Sequence, residues 1–359
     1  MASTSNDDSH IDLLLELSLG ARPAQASVVT LANAGREQWA RLLALSESHH
    51  VVLRAFNPLG HIAREEGYDE LAEWCTETLA REEARIAKAL AFLDDICVKL
   101  EGEGIQITVM KSLDHWPDIG NDLDLYTPSD QQRVSRVMLE NFAAAPKGQT
   151  WGDRLARKNN FGIDGLRESV EIHHGVLGQT GEHTALATRF CRRRIPQRVD
   201  GYTFMVPAPE EQIVAATLQR MYRHLYIRVC DIVNTHSILE SGKLDHAELR
   251  HAADLGGIWP GAATYLRIVT EFVRRHRGSA CRLPPEVMES ARFGMEEVTV
   301  RGIWLRVPVR RAARLYGTQL GSMARRRDLH GVFRLSLLPP LASAARLVYK
   351  LTGDHKGIW

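Results

Sequence analysis

The chain has 359 residues, 44% of them hydrophobic, and a formal net charge of +1; it can bury one large core or two ordinary ones and is not a polyelectrolyte. Its five cysteines, Cys75, Cys97, Cys191, Cys230 and Cys281, show no C-x-x-C spacing, which argues against a zinc site or a disulfide framework and fits a reducing compartment. The polar start MASTSNDDSH has no secretory pattern, and no apolar run reaches the roughly 18 residues that span a bilayer, so the expected location is cytoplasmic. Charge is uneven: residues 301–359 hold twelve Lys/Arg against two Asp/Glu, leaving 33 against 42 before them, an acidic body with a basic tail.

Residues 1–10 read as a disordered tail and 11–100 as an N-terminal helical region. Trp39, Leu42, Leu43 and Leu45 recur at helical spacing, and residues 68–100 form one or two long helices with Leu71, Trp74, Leu79, Ile86, Leu90, Leu93 and Ile96 as the buried stripe. Trp74 is expected in the core and His49/His50 at the surface. Residues 101–104, Glu-Gly-Glu-Gly, end the helix. Residues 105–110 alternate as a half-buried strand does; Lys111 and Ser112 follow, then a loop marked by Pro117, Gly120 and Asn121. In the next run, Asp122-Leu-Asp-Leu-Tyr126, a strand would put Asp122 and Asp124 on one face and Leu123 and Leu125 on the other. Carboxylates that close repel unless a cation lies between them, and hard ions such as Mg²⁺ take oxygen ligands. An isolated Asp-x-Asp is also ordinary at a solvated strand end, so the pair alone leaves both readings open.

Strand, small hydroxyl residue, loop and acidic strand together resemble the signature of the DNA polymerase beta-type nucleotidyltransferase superfamily, a glycine turn shortly before a D-x-D strand. Val109-Met-Lys-Ser112 followed by Asp122-Leu-Asp-Leu125 is similar to a divergent, largely uncharacterised bacterial branch that reads Lys-Gly, a loop, then Asp-Ile-Asp-Leu. Ser112 stands where that branch has Gly, Lys111 where the wider superfamily has Gly, and an Arg often found before the acidic pair is missing. The resemblance covers roughly residues 30–275 and implies an α+β fold. A small mixed β-sheet core at 101–206 would be flanked by the N-terminal helices and a helical domain at 207–299, with a basic amphipathic region at 300–359 beyond.

Past the acidic strand, Ser129 or Asp130 caps a helix over 131–142 that packs Val134, Val137, Met138 and Phe142. Residues 143–160 read as loop, and strands follow at 160–163 and 169–173 around Gly165. In Val170-Glu-Ile-His173, Glu171 and His173 share a face. The resemblance implies a third acid on an acid-x-His strand, which makes Glu171 the group that completes a metal shell and positions or deprotonates the acceptor; the lesser alternative is an edge-strand glutamate in water. His173 is open between the acceptor site and a polar strand end, and His174 reads as structural. Arg189, Arg192, Arg193, Arg194 and Arg198 read as a solvated loop, with phosphate contact as the alternative. Pro209 and the Glu pair after it start an all-helical region reaching about residue 275, in which Leu225, Val229 and Ile232 share a face. There Arg228 and Asp231 pair, as a buried ion pair or at a cleft. The basic tail is expected to pack on the acidic body, with an anionic membrane surface or an acidic partner as alternatives.

The chemistry implied is transfer of a nucleoside monophosphate from an NTP, ATP first among them, to a hydroxyl on a small molecule or protein, with release of pyrophosphate. Asp122, Asp124 and Glu171 would hold two Mg²⁺ ions, Lys111 and Ser112 would contact phosphates, and Arg228 and Asp231 would help hold the nucleotide. The acidic body disfavours bulk nucleic acid binding. Two other classes stay open: a catalytically silent nucleotide-binding scaffold, and an adaptor that acts at membranes or partners through its tail.

Overall fold

The computed structural model describes residues 4–341 and 343, apart from 22 and 24. Helices α1 (Thr4–Ser18), α2 (Gln25–Ala34), α3 (Arg36–His49), α4 (Val52–Glu65) and α5 (Asp69–Gly102) come first. The tail expected over residues 1–10 is therefore helical from Thr4. The reason lies just beyond it: Ile11, Leu13, Leu14, Leu15 and Leu17 are all buried, and a packed apolar segment supports helical turns ahead of it. At 34 residues, about 50 Å at the helical rise, α5 serves two cores. Leu71, Ala72 and Cys75 pack among the N-terminal helices, and Ile86, Leu90, Leu93, Ile96 and Leu100 back the sheet.

Five strands form the main sheet: β1 (Thr108–Val109), β2 (Asp122–Thr127), β3 (Ala145–Pro146), β4 (Lys158–Gly162) and β5 (Ser169–His174). Their order is β1-β2-β5-β4-β3, with β2 and β5 parallel at the centre and the other pairs antiparallel. Leu123, Leu125, Phe161, Val170 and Ile172 turn to the core shared with α5 and with α6 (Gln131–Phe142), whose N-cap is Asp130. The strand expected over 105–110 pairs only at Thr108 and Val109 before Lys111 takes φ +63° and leaves the ladder. The stretch expected as loop, 143–160, contains β3 and a short helix α7 (Trp151–Leu155) closed by a Thr150–Asp153 capping box.

Helix α8 (Thr184–Arg192) and the hairpin β6 (Arg194–Val199) and β7 (Tyr202–Pro207) lead into α9 (Pro209–Thr217), which widens into a π-helical turn, Leu218–Arg223. Leu225, at φ +55°, then stops the helix and a two-residue strand follows, β8 (Tyr226–Ile227). The region after residue 207 is thus not all helical, and Leu225 shares no helix face with Val229 and Ile232. Helices α10 (Val229–Glu240), α11 (His246–Leu255), α12 (Trp259–Arg277) and α13 (Pro285–Ser290) complete the second core. The last described elements are β9 (Thr299–Arg301), β10 (Trp304–Arg306), α14 (Val309–Arg325) and α15 (Leu329–Ser336), with β10 paired to both β8 and β9. As expected, the tail packs inward: α14 buries Ala312, Leu315, Gln319 and Met323, one face at helical spacing. Val309, Leu329 and Phe333 stay exposed. The basic amphipathic region expected over 300–359 lies outside the described residues at 342 and from 344 onward. No described helix is long and apolar enough to cross a membrane.

His49 and His50 are buried, not at the surface. The β9–β10 hairpin lands on the end of α3, where His49 Nδ1 accepts the N–H of Val229 (3.0 Å) and Nε2 donates to the carbonyl of Ile303 (2.7 Å).

Candidate functional site

The parallel register of β2 and β5 sets Asp122 beside Ser169, Asp124 beside Glu171 and Tyr126 beside His173. Because side chains alternate, all six lie on the sheet face turned from the core shared with α5 and α6. Tyr126 is covered by Phe190 of α8, 6.3 Å between rings. One ligand atom each from Asp124, Glu171 and His173 lies within 4.8 Å of the others. His173, left open by the sequence, thus joins the acidic cluster: its Nε2 is 2.7 Å from Glu171 Oε1 and 3.5 Å from Asp124 Oδ1. Asp122 sits at the exposed end of the strand and accepts the Ser169 hydroxyl at 2.6 Å.

Two ammonium groups occupy this cluster. Lys111 Nζ is 2.6 Å from Asp124 Oδ1 and 3.8 Å from Glu171 Oε1, and Lys158 Nζ is 2.7 Å from Glu171 Oε1. Burial alone would raise the pKa of Glu171, but Lys158, His173 and Lys111 outweigh it and hold the carboxyl well below its usual range. Burial draws Lys158 down to about 8, so it remains mostly charged at neutral pH and the pair is an ion pair. Asp122, though open to water on one side, is raised by the desolvation of its carboxyl against the protein, with Asp124 and Glu171 adding to this and the Ser169 hydroxyl opposing it. Carboxylate oxygens drawn together around a positive charge are what a hard divalent ion uses, with His173 adding a softer nitrogen; the residues therefore fit a metal, on condition that Lys111 withdraws.

The turn that presents Lys111 is built by Ser112. Ser112 N–H donates to Met110 O (2.7 Å), a three-residue turn around Lys111 at φ +63°, a backbone region that non-glycine residues seldom occupy. The Ser112 hydroxyl, 2% exposed, accepts the backbone N–H of Asp124 at 2.7 Å and donates to Asp122 O at 3.3 Å. The Ser112 hydroxyl, expected to meet phosphates, instead ties the turn to β2, while the Ser112 N–H closes the turn on Met110. The loop between them is clamped from α5, where Arg85 donates to Ile119 O (2.9 Å) and pairs with Glu82 (2.6 Å) and Glu168.

Two recesses meet at Lys111. One encloses about 650 Å³ including its open mouth and is walled by Lys111 and His173, by Leu177, Gln179 and Glu182, by Leu218, Gln219, Tyr222 and Arg223 of the π-helical turn, and by Tyr316, Gln319, Leu335 and Leu338. A single widened turn recurs at functional sites because it re-aims side chains. Arg223 forms no ion pair among the described residues, and its Nε is buried without a hydrogen-bond partner. The second recess holds Asp114, His115, Gln212, Asp231 and Asn234. Asp114 lies deep in it, with a carboxyl that burial pushes up to about 7.

Arg228 and Asp231 do not pair side chain to side chain. Asp231 forms an ion pair with Arg220 (2.7 Å) and accepts the Arg228 N–H (2.7 Å). The Arg228 guanidinium instead donates to His50 (2.6 Å) and lies over Tyr226 and Trp304, 5.7 and 5.6 Å from their ring centres. Asp231 thus borders the second recess and Arg228 braces the joint behind it. The arginines at 189–194 are not a solvated loop: Arg189 and Arg193 pair with Glu211 (2.7 and 3.3 Å), and Arg193 also with Glu210 (2.9 Å). Arg194 donates to Ile107 O (2.8 Å), whereas Arg192 and Arg198 are exposed. His174 is buried beside Ser129 O (3.3 Å), a structural place as expected. Sequence reasoning missed Lys158, Arg223, Gln179 and Gln319. Lys158 carried a faint signal, as the residue opening the strand beside Glu171; the others had none, because distant segments bring them in.

Residues 35–274 match the protein family described as "Uncharacterised nucleotidyltransferase". Among solved structures, the chain is similar to an antigenic nucleotidyltransferase-like protein from Paracoccidioides brasiliensis, at 16% identity over 49% of this chain and 90% of that one, with a TM-score of 0.32. A likeness that slight carries no inference. No curated protein matches the chain.

Proposed function

The chain belongs to the family of uncharacterised nucleotidyltransferases, and from that premise we propose that it transfers a nucleoside monophosphate from an NTP to a hydroxyl on a small molecule or protein. The observation that carries this reading is the in-register placement of Asp124 beside Glu171, with cationic groups already gathered on their oxygens. Asp124 and Glu171, with Asp122 turning in from Ser169, would hold Mg²⁺; bound there, the ion supplies Lewis-acid stabilisation of phosphate charge and lowers the pKa of an acceptor hydroxyl. Lys111, freed from Asp124, and Arg223 pair with the triphosphate oxygens. Lys158 and His173 keep Glu171 ionised and fixed in orientation. The acceptor oxygen bonds to the α-phosphorus as the bond to pyrophosphate breaks, and the acceptor proton goes to a carboxylate of the cluster. The two recesses on either side of Lys111 suit two substrates that meet there.

The test is pyrophosphate release with Mg²⁺ and each NTP, ATP first, in the presence of a pool of small-molecule and protein acceptors. Release that needs Mg²⁺ and disappears in Asp124→Asn supports the transferase reading; equal release from the variant removes it.

One observation favours a second reading. Lys111 and Lys158 already neutralise the acidic cluster, which would suit a scaffold that binds nucleotide without metal and without turnover. NTP binding that ignores Mg²⁺, with no pyrophosphate released, would select it.

A further inference from the structure

Resting on the nucleotide reading above, we propose that the larger recess beside Lys111 holds the heterocyclic base, with Gln179 and Gln319 as the side chains that read its edge. Gln319, on α14, is 1% exposed. Its Nε2 donates to Gly256 O and to His183 Nε2, both at 3.3 Å. The Gly256 carbonyl can only accept, which fixes the amide's orientation. Its Oε1 is then buried with no partner among the described residues. Gln179, 8% exposed, has its Nε2 in the same condition. Buried polar atoms are almost always paired. On the wall of this one recess the amides of Gln319 and Gln179 present an unpaired acceptor and an unpaired donor, beside the unpaired Arg223 Nε and Tyr222 hydroxyl and next to the apolar surfaces of Leu177, Leu218 and Leu335. A flat ring with a donor and an acceptor on one edge satisfies both amides and covers the apolar wall, and each of the four bases is such a ring. Glu182, also on this wall, is already engaged by the Thr180 N–H (2.9 Å).

The wall that carries Gln319 is fixed in place. Arg334 donates to Thr180 O, the Thr180 hydroxyl donates back to Arg334 O (3.0 Å), and the Tyr316 hydroxyl donates to Leu335 O (2.7 Å). Gly181 makes this seating possible: at φ +69°, an added Cβ would stand 2.9 Å from Arg334 Nη1 and 3.1 Å from Leu155 O. Tyr316, Gln319 and Leu335 all lie beyond residue 274, where the family match ends. Base selection in this chain therefore draws on a segment outside the matched family region.

The experiment is calorimetry on the full chain with Mg²⁺, titrating ATP, GTP, CTP, UTP and inorganic tripolyphosphate. Wild type is compared with Gln319→Leu, Gln179→Leu and Leu338→Arg, each checked by thermal unfolding. Leu338→Arg obstructs the half-buried rim while leaving the Gly256 anchor intact. The expected result is one NTP bound tighter than tripolyphosphate by wild type, about tenfold weaker in each glutamine variant as one hydrogen bond is lost, and no tighter than tripolyphosphate in Leu338→Arg. Tripolyphosphate binding should be the same in all four proteins. Folded glutamine variants that bind the NTP as wild type does would overturn the base site. So would wild type binding tripolyphosphate as tightly as every NTP, and then the base site falls alone. If wild type binds neither NTP nor tripolyphosphate, the nucleotide reading itself falls.

Discussion

Lys111 holds its left-handed backbone conformation while its ammonium lies between Asp124 and Glu171. Removing that charge leaves two half-buried carboxylates facing each other. Lys111→Ala keeps the backbone cost and isolates the electrostatic one, so it should destabilise the fold by about 2 kcal/mol at neutral pH. Mg²⁺ should restore more stability to this variant than to wild type, because the ion replaces the missing charge. Thermal unfolding with and without Mg²⁺ reads this directly, and a variant indifferent to Mg²⁺ would count against a cation site. Strand alternation paired Asp122 with Asp124 and Glu171 with His173 on their strand faces, since period-2 geometry needs no knowledge of distant contacts; that the two strands share one site was implied by the family resemblance, not by alternation. Ser112 was misread for a related reason: sequence shows a hydroxyl in a turn, but not that the N–H of Asp124 already claims it.

Elements join where no local pattern announces it. The N-cap of α6 and both central strands follow from residue type and period, so they could be read in advance. The π-helical turn and β8 could not, because Leu225 at φ +55° answers to the β9–β10 hairpin packed on it. His49 is the pin of this joint, bonded to Val229 of α10 and to Ile303 of the hairpin. Burial pushes its pKa down to about 4, so the native state keeps it neutral. An unfolded chain protonates this histidine near 6.5, so stability is complete above that pH and declines as pH falls from about 6.5 toward 4. His49→Ala should cost about 2–4 kcal/mol at pH 8 through two lost hydrogen bonds and a cavity. Urea unfolding at pH 8 and pH 5 should also show a smaller cost at pH 5. An equal cost at both would mean that His49 does not titrate as the burial implies.

At the scale of the whole molecule, the acidic body and basic tail meet at the cleft. The uneven charge led to the expectation that the tail would pack inward; it did not predict that α14 and α15 would supply a wall beside Lys111. That arrangement depends on contacts such as Thr180–Arg334, separated by 154 residues, beyond the reach of any periodicity. Arg334→Ala should loosen the 177–183 loop and α15 together. Hydrogen–deuterium exchange would then rise in both segments and stay unchanged in β2 and β5; a rise in α15 alone would separate the wall from the loop. The central claim is that Asp124 and Glu171 form a cation site that carries nucleotide. The most direct measurement is calorimetric titration of each NTP, with and without Mg²⁺, into wild type and folded Asp124→Asn. The account predicts an NTP that binds wild type only with Mg²⁺ and is lost from the variant; an NTP bound equally well without Mg²⁺, or equally well by Asp124→Asn, would contradict it.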